Sequence, residues 1–100
     1  MTPQEYVEEV LSLVERIPEG RVMSYGAIAD ALADRSGRNS PRQVGRIMSL
    51  HGSAVPWYRV CSGGGRLPPG HEARAKALLL AEGVPMRGDR VLIADAGWMP

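Results

Sequence analysis

The sequence predicts a mostly α domain of the winged helix-turn-helix kind with a small amount of β-strand. Three observations lead there. Helix-capping signals precede three stretches of helical apolar spacing, a tight glycine-bearing connection joins the second to the third, and a segment dense in glycine and proline, residues 62–70, follows a short extended run. One hundred residues with 44% hydrophobic content support one core and are too few for two, so the expectation is a single domain over 1–100.

Thr2-Pro3-Gln4-Glu5 has the form of a capping box, with Pro at the first helical position where its missing N–H costs nothing. Val7, Val10, Leu11, Val14 and Ile17 continue at helical spacing, and Pro18 with Gly20 ends the element. Ser24 caps a second helix, Tyr25 to about Ala33, with Ile28 and Leu32 inward, and Gly37 closes its turn. Ser40-Pro41-Arg42-Gln43 repeats the box logic and opens a third helix with Val44, Ile47 and Met48 inward. Arg42, Gln43 and Arg46 stand near its N-terminus, off the apolar stripe, where a recognition helix carries its contacts. Beyond His51-Gly52 come an extended run, Arg59-Val60-Cys61, and the loop SGGGRLPPG. A fourth helix from about His71 to Glu82 turns Ala75, Leu78 and Leu79 inward, with Gly83 as a left-handed cap. The tail reads as a hairpin turning at Gly88-Asp89, its second strand Val91-Leu92-Ile93.

Composition narrows the function classes. No run approaches the roughly 18 apolar residues of a membrane span, and MTPQEYVEEV lacks a signal-peptide pattern, so the expectation is a cytoplasmic protein with no membrane role. One cysteine excludes an internal disulfide, and with only His51 and His71 beside it no structural zinc is expected; no cofactor is implied. The net charge of +1 hides an uneven distribution: Arg35, Arg38, Arg42, Arg46, Arg59 and Arg66 occupy a stretch without Asp or Glu, while residues 1–34 are net acidic. Guanidinium groups suit phosphate and base recognition because they are planar, always charged and bidentate. Arg42 and Arg46, four apart, share a helix face at a cost of a few tenths of a kcal/mol, a penalty that makes most sense beside a polyanion. A solvated basic surface is the alternative reading.

Few residues invite covalent chemistry. Cys61 is the one nucleophile of high reactivity, but no His adjoins it, and a small core residue is the simpler reading. His51 and His71 read as loop or helix-start residues. Trp57, between Pro56 and Tyr58, is either a buried core aromatic or the wall of a pocket, and Tyr25 leaves the same choice.

The combination of SYG at a helix start, an Arg-bearing third helix and the turn Pro56-Trp57-Tyr58-Arg59-Val60 resembles the DNA-binding domain of O6-alkylguanine-DNA alkyltransferases, whose signature is Pro-Cys-His-Arg-Val. It is closer still to the alkyltransferase-like proteins, which place Trp where the acceptor cysteine stands. IPEGRVMSYGAIA, PRQVGRIM and LLLAEGV extend the resemblance over roughly residues 3–84, and Trp98-Met99-Pro100 is similar to the ending of some short members. The resemblance implies that Tyr25 presses on the phosphate 3′ to the target and rotates the nucleotide out. It implies that Arg42 enters the stack in its place and that Trp57 lies at the acceptor position. Glu82 matches the acidic member of the family's Cys-His-Glu arrangement, but Tyr58 replaces the His. HGSAV lacks the Asn that alkyltransferases carry before the turn, and Pro68-Pro69-Gly70 stands where other members have polar or basic residues.

The expected function is therefore a non-enzymatic sensor that flips O6-alkylguanine and directs the lesion to nucleotide excision repair. The expected DNA- and lesion-binding residues are Tyr25, Arg42, Gln43, Gly45, Arg46, Pro56, Trp57, Tyr58 and Arg59, with no catalytic or metal residues. The partners are duplex DNA containing O6-alkylguanine, bound by a monomer through its minor groove, and the excision-repair proteins. Five or six phosphate contacts give log K against log salt a slope near about −5. Two rivals remain: a sequence-specific winged-helix regulator, and an alkyltransferase using Cys61.

Overall fold

The computed structural model describes residues 1–37 and 40–100. Helix α1 spans Pro3–Arg16, α2 Tyr25–Ser36, α3 Pro41–His51, α4 Glu72–Ala81 and the one-turn α5 Ile93–Ala96. Strand β1 is Met23–Ser24, β2 Val60–Cys61, β3 Met86–Arg87 and β4 Arg90–Val91. The helix starts follow the capping residues. Glu5 N–H donates to Thr2 Oγ1 at 3.1 Å while Thr2 N–H donates to Glu5 Oε1 at 3.0 Å, a complete box. Ser24 Oγ accepts from Ala27 N–H at 3.0 Å, and Ser40 Oγ accepts from Gln43 N–H at 3.2 Å. Gly37, at φ 69°, ends α2 three residues later than Ala33 and leads toward α3.

Helices α1 to α3 enclose one core, built from Tyr6, Val10, Leu13, Val14, Ile28, Leu32, Val44 and Ile47. The buried stripe of α1 thus runs through Tyr6 and Leu13, and the expected inward residues Val7 and Leu11 sit at its margin. A second core lies under α4, where Ala75 and Leu79 meet Val22, Cys61, Leu67, Val84, Val91 and Ala96; Leu78 is only half-buried.

Between the cores, β1 and β2 pair in parallel, Met23 with Val60 and Ser24 with Cys61. Successive strand side chains point to opposite faces, so Met23 and Val60 enter the first core while Val22 and Cys61 enter the second. Arg59 is outside this strand, in a 3-10 turn over Trp57–Arg59.

The β3–β4 hairpin turns at Gly88-Asp89 with Gly88 at φ 60°. Its second strand is Arg90–Val91 rather than Val91–Ile93, because the N–H groups of Asp95 and Ala96 close onto Leu92 O at 3.0 Å and wind the chain into α5. The tail then docks beside β1: Val22 N–H donates to Ala96 O at 3.0 Å and Trp98 N–H to Val22 O at 2.8 Å. Loop 62–70 lies against the hairpin and together they form the wing. There Gly65, at φ 83°, accepts from Val91 N–H at 2.9 Å, an approach so close that a Cβ would stand 2.2 Å from Val91 O. Among the described residues no helix is long and apolar enough to cross a membrane.

Candidate nucleic-acid interface

The turn at residues 56–60 is built by local rules. Proline fixes φ of residue 56 at −71°, and with ψ at 69° it forms an inverse γ-turn in which Trp57 N–H donates to Val55 O at 2.7 Å. A single 3-10 turn follows, closed by Arg59 N–H onto Pro56 O at 3.0 Å. Three residues per turn send the side chains of Trp57, Tyr58 and Arg59 in different directions.

Trp57 turns toward a cavity of about 300 Å³. The start of α2 contributes Tyr25 to its lining, and α3 contributes Gly45, Met48 and Ser49. Gly52 and Ser53 come from the following turn, Pro68 and Pro69 from the wing loop, and His71 and Arg74 from the start of α4. The Arg74 guanidinium carbon stands 5.9 Å from the Trp57 ring centroid, and the His71 ring is 5.6 Å from it at 60°. Tyr25 is half-buried, and burial raises its hydroxyl's pKa, the nearby Cys61 adding a smaller push, so the hydroxyl is neutral at pH 7 and available as a donor. A Cβ at Gly45 would sit 3.9 Å from two carbons of the Tyr25 ring, so α2 and α3 meet here at ordinary contact distance.

Arg42, Gly45 and Ser49 follow at i, i+3 and i+7 and share a face of α3, which sets exposed Arg42 one turn from the cavity lining. Exposed Arg46 lies beside it, and half-buried Gln43 uses its N–H on the Ser40 cap. The other arginines of the stripe divide. Arg35 pairs with Glu9 and Arg59 with Glu82. Arg42, Arg46 and Arg66 make no ion pair among the described residues, and Arg38 lies outside them.

Tyr58 and Arg59 face away from the cavity into a clamp around Glu82. Tyr58 Oη donates to Glu82 Oε2 at 3.0 Å, Arg59 Nη2 donates to the same oxygen at 2.6 Å, and Gly20 N–H donates to Oε1 at 3.0 Å. Arg59 Nη1 reaches Ile17 O at 3.0 Å. Glu82 is placed by its helix end: Gly83, at φ 79°, donates its N–H to Leu80 O while Val84 N–H reaches Leu79 O, both at 3.0 Å. Burial pulls the Glu82 carboxyl pKa up, but the bonds from Arg59, Gly20 and Tyr58 outweigh it and hold it below the usual carboxylate range. Burial first, and then the bond to Glu82, raises the Tyr58 hydroxyl's pKa. The Tyr58 ring meets Trp57 edge-on at 5.7 Å and 89°, so the clamp also braces the cavity wall.

Cys61 is fully buried, with its thiol 3.9 Å from Met23 O, and burial pushes its pKa up to about 12. A thiol so protonated and enclosed is not a poised nucleophile. Among the described residues no group of three or more His, Cys, Asp and Glu side chains is placed to hold a metal.

The expected residues thus fall into three places. Tyr25, Gly45 and Trp57 line the cavity, Arg42 and Arg46 stand beside it on α3 while Gln43 is on the far side of that helix, two residues from Gly45, and Pro56 shapes the turn whose far side carries Tyr58 and Arg59. The sequence does not single out Met48, His71 or Arg74 for this site; His71 and Arg74 share a face at i, i+3, a spacing that carries no signal without the cavity beside it.

The family model of the 6-O-methylguanine DNA methyltransferase DNA-binding domain matches residues 5–84. The chain belongs to this family. Within it the likeness is to the alkyltransferase-like members. The DNA base-flipping protein of Escherichia coli (strain K12) is 34% identical over 87 residues, covering 83% of this chain and 65% of that protein's length. The DNA base-flipping protein of Vibrio parahaemolyticus is 29% identical over 101 residues, 96% of this chain and 98% of that one. In structure the chain is similar to S. pombe Atl1 in complex with damaged DNA containing O6-carboxymethylguanine, with a TM-score of 0.80, 29% identity and full coverage of both chains. It is also similar to S. pombe ATL in complex with DNA, with a TM-score of 0.76 and 32% identity, again covering both chains fully. Three stretches that carry the family likeness, IPEG, PWYRV and AEGV, meet at the Glu82 clamp.

Proposed function

We propose that this chain binds duplex DNA containing O6-alkylguanine, turns the modified nucleotide out of the stack into the cavity walled by Trp57, and leaves the alkyl group on the base. The observation that carries the reading is the cavity itself. About 300 Å³ is the small end of ligand sites, suited to one nucleobase with its substituent, and it opens beside the middle and C-terminal half of an arginine-bearing α3. The relatives named base-flipping proteins and the likeness to two DNA complexes support the same partner.

Each residue then has a physical role. Extrusion costs a few kcal/mol, so the duplex needs a substitute for the lost base and the base needs a wall to stack on. Arg42 fills the gap, Trp57 with Arg74 above it receives the base, and Tyr25 presses the neutral end of its ring on the backbone. Arg46, Gln43 and Gly45 keep α3 close to the groove, and Pro56, Tyr58 and Arg59 hold the wall in place. Trp57 stands where transfer requires a thiol. Indole does not accept an alkyl group by displacement at neutral pH, and Cys61 is enclosed in the second core. Binding without repair leaves a persistent complex, and the family resemblance points to nucleotide excision repair proteins as its recipients, with one monomer of a single domain acting on intracellular DNA.

The test pairs two readouts on one sample. A fluorescent base analogue 3′ to O6-methylguanine should brighten on binding, as its neighbour leaves the stack. The intact-protein mass and the recovered DNA should both be unchanged afterwards. A methyl increment on the protein would overturn the non-enzymatic reading, and an unresponsive analogue would overturn flipping.

A further inference from the structure

We infer that Arg66, Arg90 and Arg87 form a second phosphate-binding surface on the wing, separate from α3, which holds the backbone of a bound duplex beside the cavity. The inference rests on the reading of the chain as a duplex-binding protein, not on its preference for a lesion. Arg90 is directly opposite Arg87 across the hairpin and directly opposite Arg66 across the bridge to the wing loop. Directly opposed residues on adjoining strands point to the same face, so three guanidinium groups stand in a row across three adjoining segments. With strands about 4.8 Å apart, the row is about 10 Å wide.

The Arg66–Arg90 pair is of the non-hydrogen-bonded kind, since Val91 N–H reaches past it to Gly65 O at 2.9 Å, and such pairs bring their side chains closest. Like charges directly opposite each other are unfavourable in a sheet, and all three residues are exposed. No carboxylate relieves them: among the described residues the ion pairs are Arg35 with Glu9, Arg59 with Glu82 and Lys76 with Asp89. Asp89, the acidic residue of the hairpin turn, is thus directed to Lys76, 2.8 Å away, and its carboxyl is held below the usual range by that bond.

The position fits the backbone of a duplex beside the cavity. Arg66 is two residues before Pro68 on the cavity rim, so their Cα atoms are within about 7 Å. Arg90 lies over a part of the loop without side chains, and a Cβ built at Gly64 would be 3.6 Å from its Nη1. Gly63 has open space around it, so nothing at 63–64 obstructs a backbone phosphate approaching the guanidinium groups. Clustered cation without counter-charge beside a cavity in a duplex-binding protein matches the phosphodiester backbone better than any uncharged partner.

The test is the salt dependence of binding to an unmodified duplex. With Arg42, Arg46, Arg66, Arg87 and Arg90 all on phosphates, log K against log salt has a slope of about −4.5, and R87A/R90A lowers it to about −2.7. The loss of affinity is the same factor on unmodified and O6-methylguanine duplexes, and R87K/R90K retains most of the slope. An unchanged slope in R87A/R90A, with a normal thermal melt, overturns the wing surface and leaves the hairpin arginines to some other partner. A lowered slope in a protein that shows no preference for the lesion keeps the wing surface and removes the cavity's assigned role.

Discussion

Replacing Tyr58 by Phe removes a hydroxyl that donates to Glu82 at 3.0 Å and keeps the ring that meets Trp57 edge-on. The expected result is a loss of about 1–2 kcal/mol in stability with lesion preference retained, because the hydrogen bond has a charged acceptor while the cavity wall is unaltered. Thermal melts beside binding curves check it. Trp57→Ala separates in the opposite sense: its ring is half-buried and braced from behind, so the fold persists, while discrimination between alkylated and intact duplex falls by about 1–3 kcal/mol, the worth of one base–aromatic stack. Arg42→Ala should weaken binding to the lesion duplex by more than one phosphate contact and weaken binding to intact duplex less. Equal losses on both would count against its entering the stack. At Glu82 the sign of the pH effect follows from a carboxyl held below its ordinary value of 4.5: the clamp's contribution is complete above that pH and is lost as pH falls through the folded-state value. Glu82→Gln should flatten the acid limb of a stability–pH profile, while at pH 7 Glu82→Ala, which strands Arg59 beside Tyr58, should cost about 3 kcal/mol.

Among the elements, the wing loop offers the sharpest contrast. Gly65→Ala places a Cβ 2.2 Å from Val91 O in a backbone at φ 83°, whereas Gly63→Ala meets nothing within 4 Å. The first should lower stability by about 2–3 kcal/mol and loosen the hairpin, and the second should be nearly neutral, as denaturant melts will report. Sequence reading does not distinguish these two glycines, since what separates them is Val91, 26 positions away from Gly65. It does read the helix starts, because a cap acts over three residues and Thr2, Ser24 and Ser40 each bond as their spacing requires. The parallel pairing of Met23–Ser24 with Val60–Cys61 escapes it, since a two-residue strand has no periodicity to detect. So does α5, a single turn that the apolar run Val91-Leu92-Ile93 disguises as strand. The PWYRV motif contains Trp57, which lines the cavity, yet only the structure shows that the motif's Tyr and Arg turn away toward Glu82, a residue more than 20 positions on.

Across the whole molecule, the near-neutral charge of +1 gives little long-range attraction, so association depends on where the cations stand. Arg35 and Arg59 are taken up by carboxylates of this chain, and Arg87 and Arg90, outside the arginine stretch, join Arg42, Arg46 and Arg66 as arginines without an ion pair among the described residues. The two cores divide the work: the first holds α3 and its arginines, the second holds α4 with His71 and Arg74, and the cavity opens where the two meet at Trp57. Recognition and hold are thereby separable. On the proposed reading, the backbone contacts set affinity for any duplex and the cavity sets preference for a modified base. The most direct test is competition at fixed salt between a duplex containing one O6-methylguanine and the same duplex with guanine, followed by recovery of the DNA. The account predicts a clear preference for the methylated duplex with its methyl group still in place. Equal affinity for the two would contradict it and would make Trp57 a structural residue of a general DNA-binding domain.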